Sequence, residues 1–337
     1  MQLAASNEKN RLGVYHLNRF YSKTIAIRNG KLSSRDVPDE WNLDATLLSA
    51  LNIGIEQTIR YLYNEAPPFS IFEDWILEAN NNKPDESKIK LFNDSITGQA
   101  AFNLPEENAS LPLTEEDLRC WQENGYVIVR NAISKEDCEA TINAIADFLS
   151  LDINNPDTWY EPHPAKQGIM VQFFQHKALE KNRDAAKIRG AFEQIWQRKD
   201  LWVVTDRVSF NPPENEKWQF PGPRLHWDVS LDLPIPFSTQ GLLYLSDTQH
   251  NQGAFTLVPG FHNKIDNWIH SLPEDANPRM QDLHALGSKP IAANAGDFII
   301  WHQALPHGSS PNTATLPRIV QYINYVPIDV EEKKDWK

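Results

Sequence analysis

The chain has 337 residues, enough for one large domain with an appendage or for two ordinary domains. Hydrophobic residues make up 41% and charged residues 23%, which permits a sizeable core and argues against disorder. The net charge of −13 argues against nucleic acid or an anionic membrane surface as the main partner, and no apolar run reaches the roughly 18 residues of a spanning helix.

The polar start, MQLAASNEKNRLGVYHLNRF, has no apolar run of signal-peptide length. Two cysteines, Cys120 and Cys138, are too few for a disulfide framework and read as reduced packing residues, so the expected location is the cytoplasm. Residues 1–112 have a helical texture. Leu47, Leu48, Leu51, Ile55, Ile59 and Leu62 recur at spacings of three and four, which predicts one helix over Asp44–Tyr63. A second helix is expected over Ile71–Ala79, ended by three asparagines and Lys83-Pro84. Asn103–Leu113 reads as a linker.

Thr114 with Asp117 then resembles a capping box, and Gly125 marks that helix's end. Tyr126–Arg130 (YVIVR) is expected as a strand. Ser134 with Asp137 opens a helix burying Ile142, Ile145 and Leu149, and a helix near Ala186–Gln197 leads into a strand over Leu201–Phe210. From there to Val326 short apolar runs alternate with turns: LHWDVSLD, GLLYLSD, GAFTLVP, DFIIWH and RIVQYINYV. That rhythm belongs to all-β sandwiches and barrels. The tail VEEKKDWK is expected to be solvated.

Two of these runs carry chemistry. On a strand, residues two apart project from one face, so His226 and Asp228 can converge on one ion. Two imidazoles and a carboxylate on one face of an octahedron form the triad of non-haem iron(II) oxygenases, with three positions left open. His-x-Asp alone is weak, and chance produces it. A further His, His307, follows the apolar run after Gly296-Asp297, and Arg318 stands eleven residues beyond it at the head of RIVQYINYV. A guanidinium beside Val320 and Tyr322 needs a partner. The far carboxylate of 2-oxoglutarate fits its fork, and so does a structural Asp or Glu.

From Leu113 to Pro327, about 215 of the 337 residues, the chain resembles the phytanoyl-CoA dioxygenase family of 2-oxoglutarate oxygenases. The resemblance rests on the opening LTEEDLRCWQENGYVIVRNAISKEDCEATINAI and on His-x-Asp. It rests further on Pro259-Gly260-Phe261-His262, and on His307-Gly308-Ser309-Ser310-Pro311-Asn312 followed by Arg318. It implies a mainly β core with flanking helices: a double-stranded β-helix (jelly-roll, cupin-like) over 113–330, with an N-terminal helical extension over 1–112. It implies His226, Asp228 and His307 as ligands of iron(II) and Arg318 as the clamp for 2-oxoglutarate, with Ser309 adding a hydrogen bond. Ser209 and Gln172 are placed as upstream polar contacts to the co-substrate.

The implied reaction uses O2, with ascorbate as an activator in assays, and couples decarboxylation of 2-oxoglutarate to succinate and CO2 with hydroxylation of a C–H bond. Asp228 matters to the outcome, since related halogenases carry Gly or Ala there. The residue between the first two ligands is often Gln in this family; here it is Trp227, either a pocket wall or a packing group. Arg224 and Arg207 are candidates for a substrate carboxylate, against surface or structural roles. The loops Trp159–Gln175, Trp218–Arg224 and Asn263–Gly287 are expected to shape the pocket. His302 lacks the Ser and Arg spacing of His307 and reads as a core residue. With no Lys/Arg cluster, a small metabolite such as a free amino acid or a natural-product intermediate is the expected substrate of a monomer or homodimer. The alternatives are a cupin-like metalloprotein without 2-oxoglutarate chemistry and a non-catalytic binding barrel.

Overall fold

The computed structural model describes residues 3–33, 37, 40–100, 111–331 and 333, and the chain divides into two units. The first takes the described residues of Met1–Glu107 with Lys199–Asp206 and Val326–Asp329; the second takes those of Asn108–Arg198, Arg207–Tyr325 and Val330–Lys337. The expected linker lies outside the described residues up to position 110, and so does the tail beyond Glu331, Lys333 apart. Among the described residues no helix is long and apolar enough to cross a membrane.

The first unit is helical, with helices Leu17–Arg28, Trp41–Ala50, Ile55–Glu65, Phe69–Ala79 and Glu86–Ile96. The single helix expected over Asp44–Tyr63 is therefore two. Asn52 adopts the left-handed conformation (φ 51°), and Gly54 opens the second helix in an extended one. The apolar face survives the break because Leu47, Leu48, Leu51 and Leu62 all remain at most 1% exposed. They pack with Leu17, Phe20, Phe72, Ile76 and Phe92, and Trp202 meets Phe92 edge-on. Burying each such aliphatic side chain contributes about 1.5–3 kcal/mol.

The second unit opens on the helix Glu115–Asn124. Thr114 Oγ1 accepts from Asp117 N, and Asp117 accepts from Thr114 N in return, so two otherwise orphaned amides are satisfied. Gly125 ends the helix at φ 72°; a Cβ there would fall 2.4 Å from the His262 ring. Strand Tyr126–Val129 pairs with Phe298–His302, and Asp297 accepts from Arg130 Nη1 (2.7 Å) and Asn131 N (3.0 Å), fixing that edge.

Strands then alternate between two antiparallel sheets. Val208–Asn211, Thr239–Tyr244, Phe298–His302 and Arg318–Tyr322 lie in the seven-stranded sheet; Phe255–Leu257, Lys289–Ile291 and His307–Gly308 form the three-stranded one. His226 joins the smaller sheet by a bridge to His307. This alternation is a double-stranded β-helix. Its core is built by Leu242, Tyr244, Ile299, Trp301 and Val320 with Phe255, Leu257, Ile291 and Trp227.

Three expected strands are altered. Leu201–Phe210 is interrupted at 205–207, and its halves, Leu201–Val204 and Val208–Asn211, belong to different units. The run RIVQYINYV breaks at Ile323 into Arg318–Tyr322 and Asn324–Pro327. LHWDVSLD is reduced to the single bridge at His226: the chain bends at Asp228 and Val229, and the carbonyls of Trp227 and Val229 are taken by the Arg279 side chain.

Candidate metal and co-substrate site

His226 and His307 face each other across their bridge, with His226 N donating to His307 O (2.9 Å) and His307 N to His226 O (3.0 Å). Gly308 makes this approach possible, since a Cβ there would lie 2.5 Å from Arg224 O. Each imidazole is anchored at Nδ1 by a backbone carbonyl: His226 to Arg224 O at 2.6 Å, His307 to Leu305 O at 3.0 Å. A carbonyl only accepts, so each Nδ1 carries a proton; Nε2, protonated when it donates to Asp228, offers its lone pair to an ion once deprotonated.

Both Nε2 atoms point at the carboxylate of Asp228, His226 to Oδ1 and His307 to Oδ2, each at 3.2 Å. The three residues offer ligand atoms within 4.8 Å of one another. His307 is buried, whereas the Asp228 side chain is 51% exposed, so the cluster opens to one side. Burial works against the charge of Asp228, yet hydrogen bonds from His226 and His307 outweigh it and hold the carboxyl well below the usual range. Burial likewise lowers His226, and the Asp228 carboxylate more than reverses this, so its pKa is raised.

Arg318 is fully buried at the start of its strand. Ser209 opposes Val320 across the neighbouring strand, which puts Ser209 and Arg318 on one face as diagonal neighbours. Arg318 Nη2 donates to Ser209 Oγ (2.8 Å) and Nη1 to Ser309 Oγ (3.1 Å), while Nε has no hydrogen-bond partner among the described residues. Ser309 is two residues beyond His307, linking the guanidinium to the His cluster. Asn312, fully buried, donates to Asn211 O and Leu316 O and so shapes the loop between His307 and Arg318.

The remaining expected residues lie elsewhere. Gln172 hydrogen-bonds Gln167 (3.1 Å), not the Arg318 cluster. Trp227 is 2% exposed, donates to Ala304 O (3.0 Å) and packs in the core with its ring tilted against Phe261 and Trp268. The Arg224 side chain is exposed, and the residue's contact with the site is its carbonyl. Arg207 sits before its strand, not on it, and its carbonyl accepts from Tyr322 N. His302 accepts from Ala304 N and packs among Trp121, Phe237 and His262; burial, with the neighbouring His262, lowers its pKa to about 4.

Two residues near Asp228 have no signal in the sequence. Gln240 Nε2 donates to Asp228 Oδ2 (2.9 Å), and Gln240 Oε1 accepts from Trp301 Nε1 (2.9 Å). Arg279 donates to the carbonyls of Trp227 and Val229. Both stand far from His-x-Asp in the chain, and neither belongs to a motif.

The family model described as phytanoyl-CoA dioxygenase matches residues 121–320. A "Putative phytanoyl-CoA dioxygenase" of Dictyostelium discoideum is 25% identical over 255 residues, 60% of this chain and 72% of that protein. Among solved structures, EctD from S. alaskensis in its apo form is 14% identical, with a TM-score of 0.48 over 68% of this chain and 82% of its own. The non-heme alpha-ketoglutarate-dependent carbocyclase SnoK from nogalamycin biosynthesis is 19% identical, with a TM-score of 0.45 over 66% of this chain and 87% of its own. On the family match, which spans more than half of its length, the chain belongs to the phytanoyl-CoA dioxygenase family of iron- and 2-oxoglutarate-dependent oxygenases.

Proposed function

We propose that His226, Asp228 and His307 hold iron(II), that Arg318 binds the far carboxylate of 2-oxoglutarate with Ser309 and Ser209 beside it, and that the enzyme hydroxylates a C–H bond of a small metabolite. The observation that carries this reading is the buried Arg318, whose Nε lacks a partner among the described residues while its two other nitrogens are held by serines. A buried guanidinium without an anion is costly, and a carboxylate ligand answers that need. The donor set of two imidazoles and one carboxylate suits iron(II) and leaves open positions for co-substrate and oxygen.

When bound, iron(II) would let O2 act as the oxidant, one oxygen atom going into succinate as 2-oxoglutarate loses CO2 and the other into the C–H bond of the substrate. The chain's own residues bind and orient. The carbonyls of Arg224 and Leu305 fix the ring tautomers, and Gln240 fixes the carboxylate of Asp228. Phe255 and Trp301, packed against His307, keep water from its buried side. The retained carboxylate of Asp228 favours hydroxylation. The charge of −13 without a Lys/Arg cluster favours a free amino acid or natural-product intermediate over an acyl-CoA thioester.

The experiment is a metabolite screen with iron(II), ascorbate and 2-oxoglutarate, scored by succinate release and by the gain of one oxygen in product mass. Arg318→Ala is expected to weaken 2-oxoglutarate binding at least about 30-fold, the loss of a charge-assisted bidentate pair. Iron binding without measurable 2-oxoglutarate affinity would overturn the reading.

A further inference from the structure

We infer that Arg279 is a positioning residue for Asp228, acting through the peptide groups on either side of it; this rests on the proposed metal site. The segment carrying His226 and Asp228 is held to its sheet by one bridge, His226 to His307. No strand runs along its other edge among the described residues. The chain bends at Asp228 and Val229, and there the carbonyls of Trp227 and Val229, which bracket Asp228, face one partner.

That partner is the planar fork of Arg279. Nη1 donates to Trp227 O at 2.8 Å and Nη2 to Val229 O at 2.5 Å. Arg279 itself is held by the short turn Pro278–Met280, where Asn277 Oδ1 accepts from Arg279 N at 2.9 Å. Two hydrogen bonds to flanking carbonyls orient the peptide planes on both sides of the Asp228 Cα, and so set the direction of its Cβ. Gln240 and the two imidazoles act at the other end, on the carboxylate oxygens. Arg279 thus does for the backbone of this ligand what a neighbouring strand would do. It also makes the aim of Asp228 depend on Asn263–Gly287, a segment remote in sequence from every proposed ligand. A Lys can take two such carbonyls only by converging them on one nitrogen, as Lys166 Nζ does with Trp159 O and Glu161 O, whereas the guanidinium fork holds them on separate nitrogens.

The test is anaerobic titration of the full chain with iron(II), and with cobalt(II) as a redox-stable probe, for wild type, Arg279→Ala, Arg279→Gln and Arg279→Lys. Near-ultraviolet circular dichroism and melting temperature are recorded on each metal-free protein. Arg279→Ala is expected to bind metal about 10- to 100-fold more weakly while keeping the wild-type dichroism, with Arg279→Lys recovering only part of the loss. A folded Arg279→Ala with wild-type metal affinity overturns the inference, even if it melts earlier, because that is the signature of a merely structural role. Should the Ala variant not fold, Arg279→Gln takes its place and is judged by the same two outcomes. A wild-type chain that binds no metal would instead overturn the proposed site, and the inference with it.

Discussion

Each unit of this chain contains three histidine and carboxylate residues whose ligand atoms lie within 4.8 Å of one another: His226, Asp228 and His307 in the second, and His16, Glu40 and Asp44 in the first. They differ in charge balance. In the first cluster, Lys23 Nζ lies 2.7 Å from Asp44 and 2.9 Å from Glu40, and Arg19 Nε lies 2.8 Å from Glu40. Two carboxylates already have two cations, and the Lys23 ammonium occupies the place an ion would take. Burial works against the charge of Glu40, but Lys23 and Arg19 together hold its pKa below the usual value. His16, fully buried and left-handed (φ 68°), spans Ser6 and Asp44. In the second cluster two imidazoles face one partly exposed carboxylate, and Arg279, whose charge reaches Asp228, donates to the carbonyls on either side of it. Residue type and proximity are shared; an unmet demand for positive charge is not.

Substitutions separate the two. The largest effect is expected from Asp228→Ala or His226→Ala: metal binding lost altogether in a calorimetric titration, with metal-free stability changed by no more than about 1 kcal/mol. Retained metal binding would remove the distinction. Next, Lys23→Met leaves two buried carboxylates short of a cation and should cost about 3–5 kcal/mol in denaturant unfolding, with the metal stoichiometry unchanged. If that variant gained a second metal instead of losing stability, the first cluster would be a masked metal site. Gln240→Leu removes the donor to Asp228 Oδ2, and about a 10-fold rise in the metal dissociation constant is expected.

The smallest effect concerns His302, the histidine that competes with His307 in the sequence. Its folded pKa, about 4, lies below the unfolded value of roughly 6.5, so the unfolded chain binds the extra proton between them. Stability therefore falls as pH drops through that window, by about 1–2 kcal/mol at pH 5, and His302→Gln should flatten the fall. An unchanged pH dependence in the variant would place the titration elsewhere.

What the sequence made legible was what chain-local chemistry controls. Thr114, Asp117 and Gly125 announce a helix through contacts spanning a few residues, and the structure shows those contacts. His226, Asp228, His307, Ser309 and Arg318 are readable because their order and spacing match a family motif, although only Arg318 and His307 stand on strands. Ser209 and Gln172 follow from the family resemblance alone, and of the two it is Ser209 that hydrogen-bonds Arg318. Periodicity failed where an irregular turn preserved it: Leu47–Leu62 keeps its apolar face through a left-handed Asn52, so two helices read as one. The break at 205–207 lacks Gly or Pro and left no mark.

Partners brought together only by tertiary packing were invisible. His16 comes from the cap before one helix and Asp44 from another, Gln240 and Trp301 from neighbouring strands, and Arg279 from a turn. Trp227 shows the limit from the other side. Its neighbours in sequence are proposed ligands, but alternation along an extended segment sends its indole to the opposite face, into the core.

The most direct measurement is metal stoichiometry under anaerobic conditions with 2-oxoglutarate present, compared among wild type, Asp228→Ala and Asp44→Asn. The account predicts one iron per chain, lost in Asp228→Ala and retained in Asp44→Asn. Two metals per chain, or a single metal lost in Asp44→Asn and kept in Asp228→Ala, would contradict it.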